Sequence, residues 1–221
     1  MVAISVHTGS NFSMDGVFMI KGLRRIGICL FAVSLVWLGG LLGDKQMLRN
    51  ELVRLHVVGA SDSDADQAMK LRLKDAVVES LREDMGKLTD AGEAKAYLQE
   101  NLPKIEAFAN QFLRSAGCTD SARVTLAVEE FTTRVYDTFT LPAGVYDALR
   151  ITIGEGDGKN WWCVVFPGLC LPATAEGFEE AAACAGFSDP LTSALEGEDG
   201  YELRFFLLDA LGRMENFLHR E

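Results

Sequence analysis

Positive charge is what this chain most conspicuously lacks: 21 Lys and Arg stand against 32 Asp and Glu in 221 residues, a net charge of −11. A protein that gains affinity by neutralising phosphates needs the opposite sign, so nucleic acid is excluded as a partner. Histidine is almost absent, limited to His7, His56 and His219, and no two cysteines are spaced as C-x-x-C. Neither a usual zinc set nor a thioredoxin-like pair can be assembled from that inventory, and no metal or cofactor is implied. There is no G-x-S-x-G elbow and no H-E-x-x-H helix to make an enzyme assignment specific. Internal repeats and low-complexity tracts are missing, and the five prolines are scattered, so no linker divides the chain after residue 43.

One long hydrophobic run is present. Residues Ile26 to Gly43 read IGICLFAVSLVWLGGLLG, without a charge and with Ser34 as the one ordinary polar side chain. Spanning a hydrocarbon core of about 30 Å takes about 20 apolar residues, so the run fits a short membrane anchor or the apolar region of a signal peptide. A buried core helix is the alternative, but an all-round apolar helix would need a large core around it. Lys21, Arg24 and Arg25 precede the run and Asp44 follows it. The positive-inside rule therefore puts residues 1–25 in the cytoplasm and residues 44–221 outside. Met19 opens a shorter and more conventional export signal and is the expected true start. Gly40 or Gly43 would serve at the −1 position of a cleavage site, with Leu38 or Leu41 then at −3, where a small residue is preferred.

The body, residues 44–221, reads as one α+β domain with an antiparallel-rich sheet packed against several helices. Leu52 to Val58 is a first strand, and SDSDADQ supplies caps for a helix from Ala68 to Met85. Thr89 and Asp90 with Glu93 open a long amphipathic helix that Pro103 kinks or divides and Gly117 ends. Arg123 to Arg134, Tyr146 to Ile153 and Trp161 to Phe166 have strand patterns. Glu176 to Ala185 is a short Ala-rich helix, and Tyr201 to Phe206 a last strand leading into a helix through Leu218. Cys118, Cys163, Cys170 and Cys184 lie in this body, where an oxidising compartment permits three full pairings. A bridge between Cys163 and Cys170 and free buried thiols both remain open.

Several groups could carry a function. GEGDGKN, with Gly154, Gly156, Gly158 and Asn160, superficially resembles a phosphate loop, but strand residues follow it rather than a helix, so it reads as a hairpin turn. Glu155 and Asp157 within it fall short of a calcium set. Arg54 and His56 share one face of the first strand. Ser61, Asp62, Ser63 and Asp66 occupy a strand-to-helix corner, where they serve as caps or as ligand contacts. Adjacent strand residues face opposite ways, so Trp161 and Trp162 cannot both enter a one-sided core, and one of them is a candidate partner anchor.

Two segments carry a resemblance. RLHVVGASDSDADQAMKLRLKDAV, Arg54 to Val77, resembles the pattern R-x-H-V-I-A-N-S-D-S-x-x-D-Q-x-x-K-x-x-x-R-D-x-V of the stage II sporulation protein R family. LPAGVYDALRITIGEGDGKNWWCVVFPGLC, Leu141 to Cys170, is similar to that family's P-x-G-x-Y-x-A-L-R-I-x-I-G-x-G-x-G-x-N-W-W-C-V-x-F-P-P-L-C block. The chain departs from it at Gly59 and Ala60 (Ala-Asn), Asp64 (Pro), Lys74 (Arg) and Gly168 (the second Pro). The resemblance implies a ligand rather than an enzyme: a protein secreted across the forespore membrane that activates a membrane-embedded aspartic-type protease of the mother cell, which then trims a sigma-factor precursor. Arg54, His56, Ser61, Asp62, Ser63, Asp66, Gly154, Gly156, Gly158, Asn160, Trp161 and Trp162 are then the candidate partner surface. The competing readings are an exported hydrolase using His56 with Asp62 or Asp66, and a membrane-anchored adaptor.

Overall fold

A computed structural model describes residues 12–136, 138–168 and 175–219. The chain forms two compact units, Met1–Leu42 and Gly43–Glu221. Helix α1 (Phe12–Glu51) begins in the first and ends in the second. Within it, Lys21–Glu51 is long and apolar enough to cross a membrane, and only 6% of its most apolar window is buried. Leu30, Phe31, Val33 and Val36 all face outward, which is not how a core helix behaves.

The second unit is built on a four-stranded sheet. β1 (Val53–Val58) is followed by helices α2 (Asp64–Met85) and α3 (Ala91–Ser115), then β2 (Ala122–Phe131), the short β3 (Arg134–Val135) and β4 (Thr140–Leu141), β5 (Gly144–Ile153) and β6 (Asn160–Phe166). Helices α4 (Ala175–Cys184), α5 (Asp189–Glu196) and α6 (Glu202–His219) complete the described chain. The caps expected for α2 and α3 are present. Ser63 accepts from the Asp66 N–H, and Asp90 accepts from the Glu93 N–H. Pro103 sits inside α3 without dividing it, and Gly117 (φ 78°) ends that helix as Cys118 donates back to the Leu113 carbonyl at 2.9 Å.

The strand order is β2-β5-β1-β6, with β1 parallel to β5 and antiparallel to β6. This corrects the hairpin expected at Gly154 to Asn160. β5 and β6 are not neighbours, because β1 lies between them, and the glycine-rich segment is a bridge over the end of β1. Two further expectations change. The strand expected over Tyr201–Phe206 is the first turns of α6, whose buried residues Leu208, Asp209, Gly212 and Asn216 follow a helical spacing. The strand expected to run to Arg134 ends at Phe131, and burial changes face along it: Ala122 and Val124 are covered on one side, Phe131 on the other, and Val128 is exposed.

The main core lies between the sheet and helices α2 and α3. Val53, Leu55, Val57, Leu149, Ile151, Ile153, Cys163 and Val165 meet Leu73, Val77, Leu81, Leu98, Ile105 and Leu113 there. α6 is tied to the end of α1 and to the β4–β5 region. Arg204 donates to Asp44 at 2.8 Å, Lys45 pairs with Glu215 at 3.1 Å, and the Asp209 carboxylate accepts from the Ala143 N–H at 2.8 Å. Gly212 is required at that contact, since a Cβ would run into the Ala143 carbonyl.

Candidate functional site

The two sequence blocks of the resemblance are interlocked in space, and the lock has two parts: a polar clasp over the end of β1 and a cluster of aromatic and charged side chains beneath it.

The clasp forms because the bridge after β5 must pass the corner after β1 closely. The Gly158 N–H donates to the Gly59 carbonyl at 2.9 Å, and the Gly59 N–H reaches the Lys159 carbonyl at 3.4 Å. A Cβ at Gly158 would collide with the Ser61 carbonyl and lie 2.8 Å from the Gly59 oxygen, so only glycine fits. Asp62 accepts from the Lys159 N–H at 2.7 Å. Lys70, buried on α2, donates to the Lys159 carbonyl at 2.9 Å and to Gln67 at 2.6 Å, while Gln67 donates to the Ser61 carbonyl at 2.7 Å. Burial pulls the Lys70 ammonium below the usual lysine range, and the Asp62 carboxylate opposes that in part. Ser61 donates to Asp66, and the Ser61 hydroxyl accepts from the Ser63 N–H at 3.1 Å. All four polar residues singled out at this corner are therefore committed to intramolecular hydrogen bonds.

Beneath the clasp, on the face of the sheet away from α2 and α3, strand alternation brings together Arg54, His56 and Trp162. His56 Nδ1 donates to Glu129 at 2.6 Å, and Nε2 faces the Asn160 amide at 2.9 Å. The imidazole stacks on the Trp162 indole at a centroid distance of 3.9 Å and an interplanar angle of 16°. The guanidinium of Arg134 lies 4.8 Å from the Trp162 ring, and Phe131 meets that ring edge-on at 4.8 Å. Arg150 approaches Glu129 from β5 at 3.5 Å. The carboxylate partner of His56 is thus Glu129. The pairing with Asp62 or Asp66 expected for a hydrolase does not form, because those two are held in the clasp and the helix cap.

Arg54 is wholly buried. It donates from Nε to the Cys163 carbonyl at 3.2 Å and from Nη2 to the Tyr136 hydroxyl at 2.9 Å, and its guanidinium lies 4.4 Å from the Phe131 ring and 5.2 Å from that of Tyr146. Among the described residues its Nη1 has no hydrogen-bond partner, nor has Nε of the neighbouring Arg134. Burial and the proximity of Arg54 draw the Arg134 guanidinium below the ordinary arginine range, with Tyr136 acting in the other direction. Cation–π contacts and neutral oxygens thus take the place of a carboxylate in offsetting the cost of burying the Arg54 charge.

Trp161 points to the other face. It is partly exposed on edge strand β6, with Lys74 Nζ 5.0 Å from its ring. Lys74, which stands where the related pattern has Arg, thus lies between the Trp161 ring and the Asp75 carboxylate, with which it pairs. Cys163 is disulfide-bonded. Cys170, the expected partner, lies outside the described residues, and Cys29, Cys118 and Cys184 are free.

Glu129, Phe131, Arg134, Tyr136 and Arg150 belong to this cluster and were missed in the sequence. A faint signal existed for Glu129, since Arg123, Thr125, Ala127 and Glu129 form the non-apolar alternate set of β2. Nothing local pointed to Arg134 or Tyr136, which reach the site from the β3 ribbon.

The profile of Stage II sporulation protein R matches residues 49–176, which contain the clasp and the aromatic cluster. Stage II sporulation protein R of Bacillus subtilis (strain 168) is 32% identical over 182 residues, covering 74% of this chain and 81% of the relative. No solved structure matches the chain. The chain belongs to the stage II sporulation protein R family, and its role lies in sporulation.

Proposed function

We propose that this chain is an exported intercellular signal of endospore formation. Made in the forespore, it is carried by its apolar segment, as signal peptide or anchor, across the forespore membrane into the intermembrane space. There its body, residues 44–221, activates a membrane-embedded aspartic-type protease of the mother-cell membrane, which processes the precursor of the mother-cell sigma factor, pro-sigma-E. Family membership, the exposed apolar run and the acidic body support this reading. The confined space raises effective concentration, so modest affinity suffices.

The observation that carries the contact surface is the split fate of the tryptophan pair. Trp162 is used up in stacking inside the chain, while Trp161 stands partly exposed on an edge strand beside the clasp. Large aromatics of that kind are favoured anchors at interfaces. The partner surface is accordingly Trp161 with the outer side of the clasp at Asp62, Ser63 and Gly154 to Asn160. Arg54, His56 and Trp162 hold that surface in shape from below. An activator can shift its receptor only by binding the active arrangement more tightly than the inactive one.

Co-production of the chain, its protease and the sigma-factor precursor in a non-sporulating host tests this. Precursor trimming is expected with the full chain and not with a copy lacking residues 1–43. Trp161→Ala is expected to reduce trimming while the amount of exported, folded protein stays the same. A verified, folded and exported chain that gives no trimming would overturn the reading.

A further inference from the structure

Strand β2 is an edge of the four-stranded sheet, paired among the described residues with β5 alone. Its register against β5 is unbroken from Ala122 to Phe131, so its backbone groups alternate strictly between the two sides. The side chains of α3 show which residues face outward. Asn110 accepts from the Ala122 N–H at 2.9 Å and donates to the Ala122 carbonyl at 2.8 Å, and Glu106 accepts from the Val124 N–H at 2.9 Å. The Ser121 carbonyl turns the other way and accepts from the Gly154 N–H at 2.9 Å. The even-numbered residues of β2 therefore point away from β5. Leu126 and Val128 come next in that series, and their outward N–H and carbonyl groups meet no hydrogen-bond partner among the described residues. Beyond them, Glu130 pairs with His219 at the end of α6 at 3.6 Å. The edge is thus open over a short window, from the Val124 carbonyl to the Val128 carbonyl.

Unpaired edges are usually blunted by lysine, proline or a bulge, and β2, which reads ARVTLAVEEF, has none of these. Outward donors and acceptors at every second residue match the backbone of an extended peptide. The side chains of a strand added there fall on both faces of the sheet. On one face Leu126, half-buried against the main core, and Val128, 44% exposed, continue an apolar surface. On the other, Thr125, Ala127, Glu129 and Arg150 line a polar trough of about 670 Å³. An occupant that suits both faces alternates apolar and polar residues. The net charge of −11 attracts a basic strand and repels a second copy of this chain.

We propose that the outer edge of β2 between Val124 and Val128 is a strand-addition site, which takes an extended basic segment of alternating apolar and polar residues from a protein partner. Main-chain hydrogen bonds hold the segment, and the alternation sets its register. This site is separate from the Trp161 surface, which lies on β6 at the opposite edge of the sheet.

The test uses the full chain in dodecylmaltoside micelles and reads amide hydrogen exchange residue by residue with mass spectrometry. The probe is the acetylated and amidated peptide Arg-Val-Thr-Val-Arg-Val-Thr. In the free chain the Leu126 and Val128 amides are expected to exchange fast while those of Thr125 and Ala127, bonded to β5, exchange slowly. Millimolar probe is expected to slow the two fast amides about fivefold or more, and the same peptide with Glu in place of Arg to act several times more weakly. Val128→Pro deletes an outward N–H without touching the β5 ladder, so it is expected to abolish the effect at Leu126 and leave exchange elsewhere in the sheet unchanged. If exchange rises across the whole sheet, that variant is unfolded, and Val128→Lys, whose charge repels the probe at an intact edge, is read in its place. Slow exchange of both amides in the free chain would mean an edge already covered and would overturn the proposal. Fast exchange that the probe leaves unchanged, or slowing confined to β6, would overturn it equally. Slowing that grows with protein concentration in the absence of probe would make a second copy the occupant and would also overturn it. The protease is absent throughout, so none of these outcomes decides whether the chain activates it.

Discussion

On the side of the sheet that carries α2 and α3, Leu55, Leu149 and Ile151 meet Leu73, Val77 and Leu98 in an apolar core, and polar contacts such as the Val124 N–H donating to Glu106 lie at its margin. On the opposite side, Arg54, His56, Glu129 and Arg150 are interleaved with Phe131, Tyr146 and Trp162. The first side needs volume and water exclusion, conditions that many apolar sets satisfy. The second sets nitrogens such as Arg54 Nε and His56 Nδ1 against particular oxygens, because a buried polar atom that loses its partner costs more than the bond gains. The same four strands thus carry one face that tolerates rearrangement and one that does not.

The largest break in this comparison is Trp162→Ala. It removes the ring that His56 and Arg134 both lean on, and a loss of about 4 kcal/mol in urea denaturation is expected. Trp161→Ala, one residue along, is expected to cost less than about 1 kcal/mol, because that ring is partly exposed and touches one lysine. Comparable costs for the two would mean that Trp161 is also a core residue and would remove the basis for its role as anchor.

A pair of conservative changes sharpens the contrast. Arg54→Lys keeps the charge but cannot reach both the Cys163 carbonyl and the Tyr136 hydroxyl while lying on the Phe131 ring, and a cost of about 2 kcal/mol is expected. Leu149→Met on the other face keeps volume and polarity class and is expected to cost under about 1.5 kcal/mol. If both changes are equally mild, the two faces obey the same rules. His56→Gln retains one polar partner for Glu129 but loses the stack, with about 1.5 kcal/mol expected from the same denaturation measurement.

The smallest effect concerns pH on the helix side. Burial, then the hydrogen bond to Asp84 at 2.7 Å, pushes the Tyr97 phenol up to about 12 from an ordinary value of 10.0. The unfolded chain then gives up this proton first. Stability from Tyr97 is fully present below pH 10.0 and is lost as pH rises toward about 12. Asp84→Asn is expected to reduce the fall in urea-denaturation stability between those limits, and an unchanged fall would show that the carboxylate does not contribute.

What the sequence disclosed follows the range of the interactions. Ser63, Asp90 and Gly117 act within a turn of themselves, so the ends of α3 and the end of α2 are legible locally, while α2 begins at Asp64 rather than at the expected Ala68 because Ser63 itself is the cap. The strand character of residues 146–153 and 161–166 was also local. Their pairing was not: a glycine-rich segment between two strands has the pattern of a hairpin, and nothing within it reveals a strand from ninety residues earlier lying between them. Aromatic residues at Tyr201, Phe205 and Phe206 imitate a strand, and their helical identity shows only when the buried positions beyond Leu208 are counted in. Helix α5 has its signals, Ser188 before it, Pro190 in its first turn and Gly197 after it, but its eight residues are too few for periodicity to stand out. Within the site, His56 and Trp162 could be singled out by type, but Glu129 is an ordinary strand glutamate until the fold sets it 2.6 Å from an imidazole.

The insertion of β1 between β5 and β6 also governs the order of events as the chain emerges. β1 comes out early with both edges bare, and each of its neighbours is supplied by residues 144–166. The sheet therefore has no partial version to settle into while the first hundred or so residues appear, and the high sequence separation of its central pairings makes closure slow. Until Phe166 is available, β1 lacks one of the two strands that flank it.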